Sequence, residues 1–402
     1  MEPCGRLRYA RRVRVCNGLI VSVLLCSCLA ARGRAAPSEE AVTAASTPRA
    51  QAEPEELERE ATSRARSRVV DLLSRLARSP RFALGHEDTT AYGVGWSGDV
   101  DRSDVKSLCG AHVAVYGWDV FGLEKDAPRN GDGVEFEHMR RLIIEAHGRG
   151  GINTISWHVD NPVSGGNAWD RTRAAHAIVP GKPLHARYVD YVDRVADFLL
   201  SLRGTDGELI PIIFRPFHEH TGSWFWWGGA NVSAVDYIAL WRFTIDHLRR
   251  ARGLDHLLFA FSPGGGEIHR DADYLYRYPG DEYVDVFGVD HYYGNGASGL
   301  VRVAEVVVRV AEARGKIPAL TEVGARDGLN AAGIDDDWVV QSLVAPLSKS
   351  PIASRIAYAL AWRNASAEHC FLPYPGHPGV RSFETLCESD RVVLENDLSA
   401  FE

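Results

Sequence analysis

Short apolar runs alternate with amphipathic segments along most of this chain. Eight of these runs lack the polar alternation of a sheet with one wet face, which is typical of strands buried on both sides. They span residues 82–85, 113–117, 152–157, 209–215, 257–262, 284–289, 317–321 and 356–361. Helical spacing of apolar residues recurs between them, at residues 137–147, 188–202, 235–251, 300–313 and 338–347. The alternation predicts an α/β fold, a single (β/α)₈ barrel.

Polar residues follow each predicted strand, at the position where a barrel carries its active site. They include His86, Glu87, Asp119, His158, Asn161, His218, Glu219, Ser262, Asp290, Tyr292, Glu322, Trp362 and Arg363. A doubly wound open sheet would instead gather its polar groups near one switch point. The sequence has no glycine-rich dinucleotide or phosphate motif to support that fold. We therefore expect the functional site at the mouth of the barrel.

The first residues resemble an export signal. Residues 1–31 combine an arginine-rich start with an apolar stretch too short to span a bilayer. Cleavage at small residues among 30–36 would release a secreted protein, whereas cleavage before Cys28 would give a lipoprotein anchored at the outer membrane. We favour simple secretion. Residues 32–66 then predict a low-complexity linker, and residues 67–402 the folded catalytic domain.

Composition narrows the classes of partner. The chain has 402 residues with 45% hydrophobic and 24% charged residues, ordinary values for a globular protein. Removal of residues 1–28, which hold five Arg and one Glu, would take the net charge from −8 to −12. This argues against nucleic acid or an anionic surface as partner. We expect a monomer without a transmembrane span, a metal or a cofactor.

Three cysteines remain after the signal: Cys109, Cys370 and Cys387. An oxidising compartment favours a Cys370–Cys387 bridge with Cys109 as a buried free thiol. Three unpaired buried cysteines are an equally good interpretation. No zinc-binding spacing is present.

The segment after the fourth predicted strand carries the clearest chemistry. It places Glu219 between His218 and His220 and ahead of four aromatic residues, 224–227. A carboxylic acid that protonates a glycosidic oxygen needs a pKa raised by apolar surroundings. Four adjacent aromatic side chains are hard to bury together, which favours a sugar-binding wall over a buried strand end. A second carboxyl group, Glu322, ends the seventh strand, and two such groups can flank one glycosidic bond.

Several motifs together resemble glycoside hydrolase family 26, the β-mannanase family of a retaining clan of barrel enzymes. They lie at residues 84–88, 156–162, 215–228, 278–290, 320–324 and 371–378. The resemblance implies a retaining endo-β-1,4-mannanase with a polysaccharide substrate, in which Glu219 is the acid/base and Glu322 the nucleophile.

The resemblance also implies supporting roles. Sugar contacts would come from His158, Asn161 and His218, and stacking platforms from Trp224 and Trp362. Tyr292 would hydrogen-bond to the nucleophile, and Arg215 and Asp290 would organise the groups behind it.

Some alternatives stay open at this point. His220 and His291 depart from the familiar pattern beside the cleft, so β-1,3-xylan or mixed-linkage β-glucan could replace mannan as substrate. A metal-dependent barrel hydrolase would use the mouth histidines, but such sites start with a His-x-His pair on the first strand, whereas this pair is on the fourth. A non-catalytic glycan-binding protein would need the aromatic residues but not both glutamates.

Overall fold

A computed structural model describes residues 54–401. The predicted export signal, the candidate lipidation site Cys28 and the first part of the predicted linker, residues 32–53, lie outside the described residues. Within residues 54–401, no helix is both long enough and apolar enough to cross a bilayer.

Eight parallel strands form the barrel. They are β1 (Phe82–Glu87), β2 (Val115–Asp119), β3 (Ile152–Trp157), β4 (Ile212–Pro216), β5 (Leu257–Phe261), β6 (Val286–Phe287 and Asp290–Tyr293), β7 (Ile317–Pro318 and Leu320–Ala325) and β8 (Tyr358–Ala361). Each strand pairs with the next along the chain, and β1 pairs with both β2 and β8, so that the ring closes. The predicted (β/α)₈ barrel is confirmed.

Helices surround this sheet. They are α1 (Pro54–Leu76), α2 (Asp104–Cys109), α3 (Phe136–Gly148), α4 (Ala175–Ile178), α5 (His185–Leu200), α6 (Ala234–Asp246), α7 (Asp271–Tyr274), α8 (Ser298–Glu312), α9 (Ala345–Lys349) and α10 (Val380–Cys387). A π-helical turn, His247–Ala251, extends α6, and another, Val339–Val344, precedes α9. Short strands occur at Tyr92–Gly93, Trp96–Ser97 and Val392–Val393. Helices occupy all five predicted helical segments.

The N-terminal end of the barrel is closed by α1. Leu72, Leu73 and Leu76 of this helix are buried in an apolar cluster with side chains from the barrel strands. The helix begins at Pro54, upstream of the predicted boundary at residue 67, so the described part of the predicted linker is helical. Arg66, inside that part, donates to Asp285 Oδ1 at 2.6 Å. The described part of the predicted linker has a charged, weakly periodic sequence. It forms a helix because polar contacts as well as apolar ones hold α1 to the barrel.

A disulfide joins Cys109, at the end of α2, to Cys387, at the end of α10, with their Cα atoms 5.8 Å apart. The expected Cys370–Cys387 bridge is therefore wrong, and Cys370 is the buried free thiol. The prediction paired cysteines that are close in sequence. The fold instead packs α10 against α2 and brings together cysteines separated by 278 positions.

Candidate active site

The backbone turns sharply where β4 ends. Phe217 and Glu219 have φ angles of 49° and 53°, in the left-handed region that non-glycine residues rarely adopt. The Phe217 ring is fully buried and packs against Trp227 and other aromatic rings. The Glu219 amide donates to the Ser262 carbonyl oxygen at 2.7 Å. Packing and this hydrogen bond offset the strained backbone and fix the position of Glu219.

A cleft of about 940 Å³ opens at the C-terminal mouth of the barrel. Its size suits a ligand of several rings. It brings together most of the residues singled out from the sequence: His158, His218, Glu219, Trp224, Asp290, Tyr292, Glu322 and Trp362. The two candidate catalytic glutamates therefore line one cavity, although they come from β7 and the loop after β4.

Glu322 receives a hydrogen bond at each carboxylate oxygen. Arg215 Nη2 donates to Oε2 at 2.6 Å, and the Tyr292 hydroxyl donates to Oε1 at 2.5 Å. Arg215 also donates through Nη1 to Asp290 Oδ2 at 2.6 Å. A carboxyl group whose two oxygens both accept is arranged as an ionised carboxylate. Arg215 thus contacts both Glu322 and Asp290 and fixes them relative to each other from beneath the cleft.

The environment of Glu219 differs from that of Glu322. Removal from water, followed by the charges of Glu322 and Asp290, raises its pKa well above the ordinary value. Trp224 Nε1 donates to Glu219 Oε2 at 2.7 Å and partly opposes this shift. Two acids in one cleft, one with a raised pKa and one accepting hydrogen bonds at both oxygens, are suited to the roles of acid/base and nucleophile.

Two histidines form one wall of the cleft. His158 Nδ1 contacts Asp119 Oδ2, and His158 Nε2 lies 3.0 Å from His218 Nε2. Both ring nitrogens of His158 are therefore engaged by protein groups, and its ring rather than its nitrogens faces the cleft. Trp227 Nε1 donates to the His218 carbonyl oxygen at 2.8 Å and fixes the backbone there.

The four aromatic residues after Glu219 do not form one exposed wall. Trp224 is 45% exposed and faces the cleft, but Phe225, Trp226 and Trp227 are buried. The expectation that such a cluster resists burial is wrong because the two buried indoles find hydrogen-bond acceptors: Trp226 Nε1 donates to the Val159 carbonyl oxygen at 2.9 Å, and Trp227 to that of His218. These side chains hold the loops that shape the site.

Asn161 is not in the cleft. It is fully buried, and its Nδ2 donates to the carbonyl oxygens of Asp170 and Thr172 at 2.9 and 2.7 Å. Its Oδ1 accepts from the amides of Val163 and Ser164. In this structure Asn161 holds together the loop after β3 instead of making the sugar contact that the resemblance implies.

His220 and His86 do not join the pair formed by His158 and His218. His220 packs between Tyr237 and Phe261, with ring centroids 4.7 and 4.9 Å away, whereas His218 faces the cleft. His86 is buried beside Thr89. In the part of the chain that the structure describes, no group of three or more His, Cys, Asp or Glu side chains is placed to hold a metal ion.

Some residues of the site had no assigned role in the sequence. Trp169, in the loop after β3, is 49% exposed and stacks on His158 at 5.3 Å between ring centroids. Its position in a glycine-rich polar loop could have identified Trp169 as a candidate from the sequence. Arg326 and Glu267 also line the cleft. Glu87 is buried near Arg215, and burial raises its pKa well above the ordinary value.

Comparisons with known proteins identify similar structures. A GH26 β-mannanase from Bacteroides ovatus has a TM-score of 0.76 and 40% identity over 82% of this chain and 96% of its own. A modular endo-β-1,4-mannanase from Cellulomonas fimi has a TM-score of 0.76 and 34% identity over 84% of this chain and 76% of its own.

A mannan endo-1,4-β-mannosidase from Bifidobacterium adolescentis is 32% identical over 319 residues, which is 74% of this chain. The chain spans only 32% of that relative's length. The model of the family described as glycosyl hydrolase family 26 matches residues 58–349, most of the folded part. The chain belongs to glycosyl hydrolase family 26.

Proposed function

We propose that this chain hydrolyses internal β-1,4-mannosidic bonds of mannans with retention of configuration. The observation that carries the proposal is the pair of carboxyl groups in one cleft, with the proton favoured on Glu219 and both oxygens of Glu322 accepting hydrogen bonds. The relatives that are named as mannanases support the choice of substrate.

The reaction takes two displacements. Glu322 attacks the anomeric carbon while Glu219 gives its proton to the departing glycosidic oxygen, which leaves a glycosyl ester on Glu322. Glu219, now ionised, takes a proton from the water that attacks the same carbon and releases Glu322. Arg215 and Tyr292 hold the attacking carboxylate in one orientation, so little freedom is lost when the sugar arrives.

Two half-exposed indoles offer apolar surfaces to the sugar. Trp224 and Trp169 are 45% and 49% exposed, and both line the cleft. The C–H faces of a pyranose stack on such rings. Trp224 also donates a hydrogen bond to Glu219. The same side chain therefore contacts the sugar and orients the acid.

The anomeric form of the first product tests the mechanism. Proton NMR of mannooligosaccharide hydrolysis should show the β-anomer first, followed by mutarotation. If the α-anomer comes first, Glu322 is not the nucleophile.

Variants of the two glutamates test the individual roles. Glu322→Ala should lose nearly all activity and recover part of it with azide, which can occupy the space left and attack in its place. Glu219→Ala should lose about 10²- to 10⁴-fold on mannan but keep activity on substrates whose leaving group needs no proton. Glu60→Ala, at an exposed position on α1, is the matched control. Equal losses without rescue would contradict the assignment.

Substrate choice is tested by comparing kcat/KM on mannan, galactomannan, β-1,3-xylan and lichenan. We expect mannan to be cleaved most efficiently, with a mixture of oligosaccharides at early times because internal bonds are cut. A higher kcat/KM on β-1,3-xylan or lichenan would replace the proposed substrate by that glycan.

The same proposal places the enzyme outside the cytoplasm, as a secreted monomer. The arginine-rich start with its apolar stretch supports export, and the Cys109–Cys387 disulfide fits an oxidising compartment. N-terminal sequencing of the exported protein should find cleavage among residues 30–36. Incorporation of a labelled fatty acid that is lost in Cys28→Ser would identify a lipoprotein instead. Sedimentation velocity measures the oligomeric state.

A further inference from the structure

A buried row of polar side chains runs beside the cleft, from Ser156 through Asp119 and His158 to His218. We propose that Asp119 is a positioning residue that keeps both ring nitrogens of His158 protonated, so that His158 donates to His218 and fixes its ring next to Glu219. The ionisation part of this inference does not depend on the proposed hydrolysis. Its kinetic part rests on the proposed hydrolysis.

Asp119 is fully buried at the end of β2 and is surrounded by donors. Its Oδ2 accepts from the Ser156 hydroxyl at 2.6 Å, and its Oδ1 accepts from the Phe121 amide at 2.9 Å. Each of these bonds requires an acceptor, which the ionised carboxylate provides at both oxygens. The ring nitrogen that faces Oδ2, His158 Nδ1, must therefore carry a proton.

The second nitrogen of His158 faces another imidazole. The two Nε2 atoms are 3.0 Å apart with the rings nearly perpendicular, so one nitrogen donates and the other accepts. Burial, with the charges of Arg215 and His158, holds the pKa of His218 well below its ordinary value. Burial also acts to lower the pKa of His158, but the charge and hydrogen bond of Asp119 outweigh it and raise the pKa. His158 is thus the donor and His218 the neutral acceptor.

Charged and titratable groups reach His158 from several elements. Asp119 comes from β2, Glu322 from β7, and Asp132 from the loop before α3. Arg215 and His218 come from β4 and the turn that follows it. Of the described carboxylates that face His158, Asp119 is the one hydrogen-bonded to its ring, and Asp132 is paired with Arg363 at 2.8 Å.

This contact affects Glu219 through the turn. His218 lies between Phe217 and Glu219, both of which have positive φ angles, so a fixed His218 ring limits how the turn can relax. A hydrogen bond from a charged imidazole is roughly twice as strong as one between neutral groups. Loss of the charge on His158 should therefore disturb the presentation of the acid, lowering kcat more than it raises KM.

The variant that tests the inference is Asp119→Asn, which keeps the shape of the side chain but removes its charge. Ser156→Ala is the matched control because it removes a hydrogen bond from the same oxygen but leaves the carboxylate. In ¹⁵N NMR spectra at pH 7, both His158 nitrogens should be protonated in the wild type and in Ser156→Ala. One of them should lose its proton in Asp119→Asn. A neutral His158 in the wild type at pH 7 would overturn the inference without any variant being made.

The kinetic arm measures kcat and KM on mannan between pH 5 and pH 7. Asp119→Asn should lose about 10- to 100-fold in kcat at pH 7, and the loss should shrink toward pH 5 as His158 regains its proton. Ser156→Ala should lose less than about 5-fold at all pH values. A loss in Asp119→Asn that is the same at every pH would show a structural role only. If the wild type does not cleave mannan, the proposed function fails, while the NMR result still decides the protonation of His158.

Discussion

The two ends of the barrel hold their ion pairs at the same distance but in different surroundings. At the N-terminal end, Arg66 and Asp285 are 2.6 Å apart, with side chains 26% and 19% exposed. At the C-terminal mouth, Arg215 and Glu322 are also 2.6 Å apart, but their side chains are 2% and 7% exposed. The geometry of the contact is nearly constant, and access to water is what changes.

This difference separates the sources of stability and chemistry. Partly hydrated pairs contribute about 0–1 kcal/mol, so the N-terminal end is held mainly by the apolar side chains of α1. Buried charges incur a desolvation cost that their attraction does little more than offset. At the mouth, the charges add little net stability, but they fix Glu322 and Asp290 in place. Burial, followed by the charges of these two carboxylates, raises the pKa of Glu219.

The same substitution at the two arginines gives the largest expected contrast. Arg215→Met leaves Asp290 and Glu322 buried without their cation and should lower the free energy of unfolding by about 3–5 kcal/mol. Arg66→Met should lower it by about 1 kcal/mol or less, since water can solvate Asp285. Urea unfolding measures both. Activity should collapse in the first variant and persist in the second; equal losses of stability would refute the comparison.

The apolar end can be weakened without touching the site. Leu73 is fully buried under the barrel, so Leu73→Ala should cost about 2–5 kcal/mol through lost burial and a cavity. Ser67→Ala, at an exposed position of the same helix, is the control. Well below the melting temperature, kcat of both variants should match the wild type. A fall in kcat in proportion to stability would mean that the two ends are coupled.

The disulfide gives a smaller effect in the outer layer, away from both ends. Loss of the Cys109–Cys387 bond in Cys387→Ala should lower stability by about 2–4 kcal/mol, because the unfolded chain is no longer constrained. Wild type in reductant should behave in the same way. Cys370→Ala keeps the bond and should stay sensitive to reductant. If reductant lowers the stability of Cys387→Ala as strongly as that of the wild type, the pairing is wrong.

The barrel and its two glutamates could be predicted because both depend on local patterns. Apolar runs without polar alternation identify strands buried on both faces, and the fold places whatever follows each strand at one mouth. The positions of Glu219 and Glu322 at the ends of predicted strands were enough to place both at the mouth of the barrel.

The errors all depend on three-dimensional contacts that the residue type alone does not reveal. Cys109 and Cys387 meet because two helices are neighbours, which no spacing in the sequence reveals. Trp226 and Trp227 are buried because carbonyl oxygens of Val159 and His218 accept their N–H groups. Asn161 has its donors and acceptors satisfied by its own loop. In each case the residue type suggested a role, and three-dimensional partners decided it.

The smallest expected effect is a pH dependence of stability that comes from Asp88, at the C-terminal mouth of the barrel. Burial, followed by the charge of Asp132, raises the pKa of Asp88 to about 8. In the unfolded chain this carboxyl loses its proton near pH 4. Between these values unfolding releases a proton, so the group's contribution to stability, complete below about pH 4, is lost as the pH rises through about 8.

Asp88→Asn should remove this dependence. Asn tolerates the φ of 50° at this position, and its oxygen can still accept from the Tyr92 hydroxyl, which donates to Asp88 Oδ2 at 2.6 Å. The free energy of unfolding of the variant, relative to wild type, should increase by about 2–3 kcal/mol from pH 5 to pH 7 and level off above pH 8. Urea unfolding at each pH measures the difference. A constant difference across this range would mean that Asp88 is ionised in the folded protein. The mouth of the barrel would then hold one more buried charge than the raised pKa of Asp88 indicates.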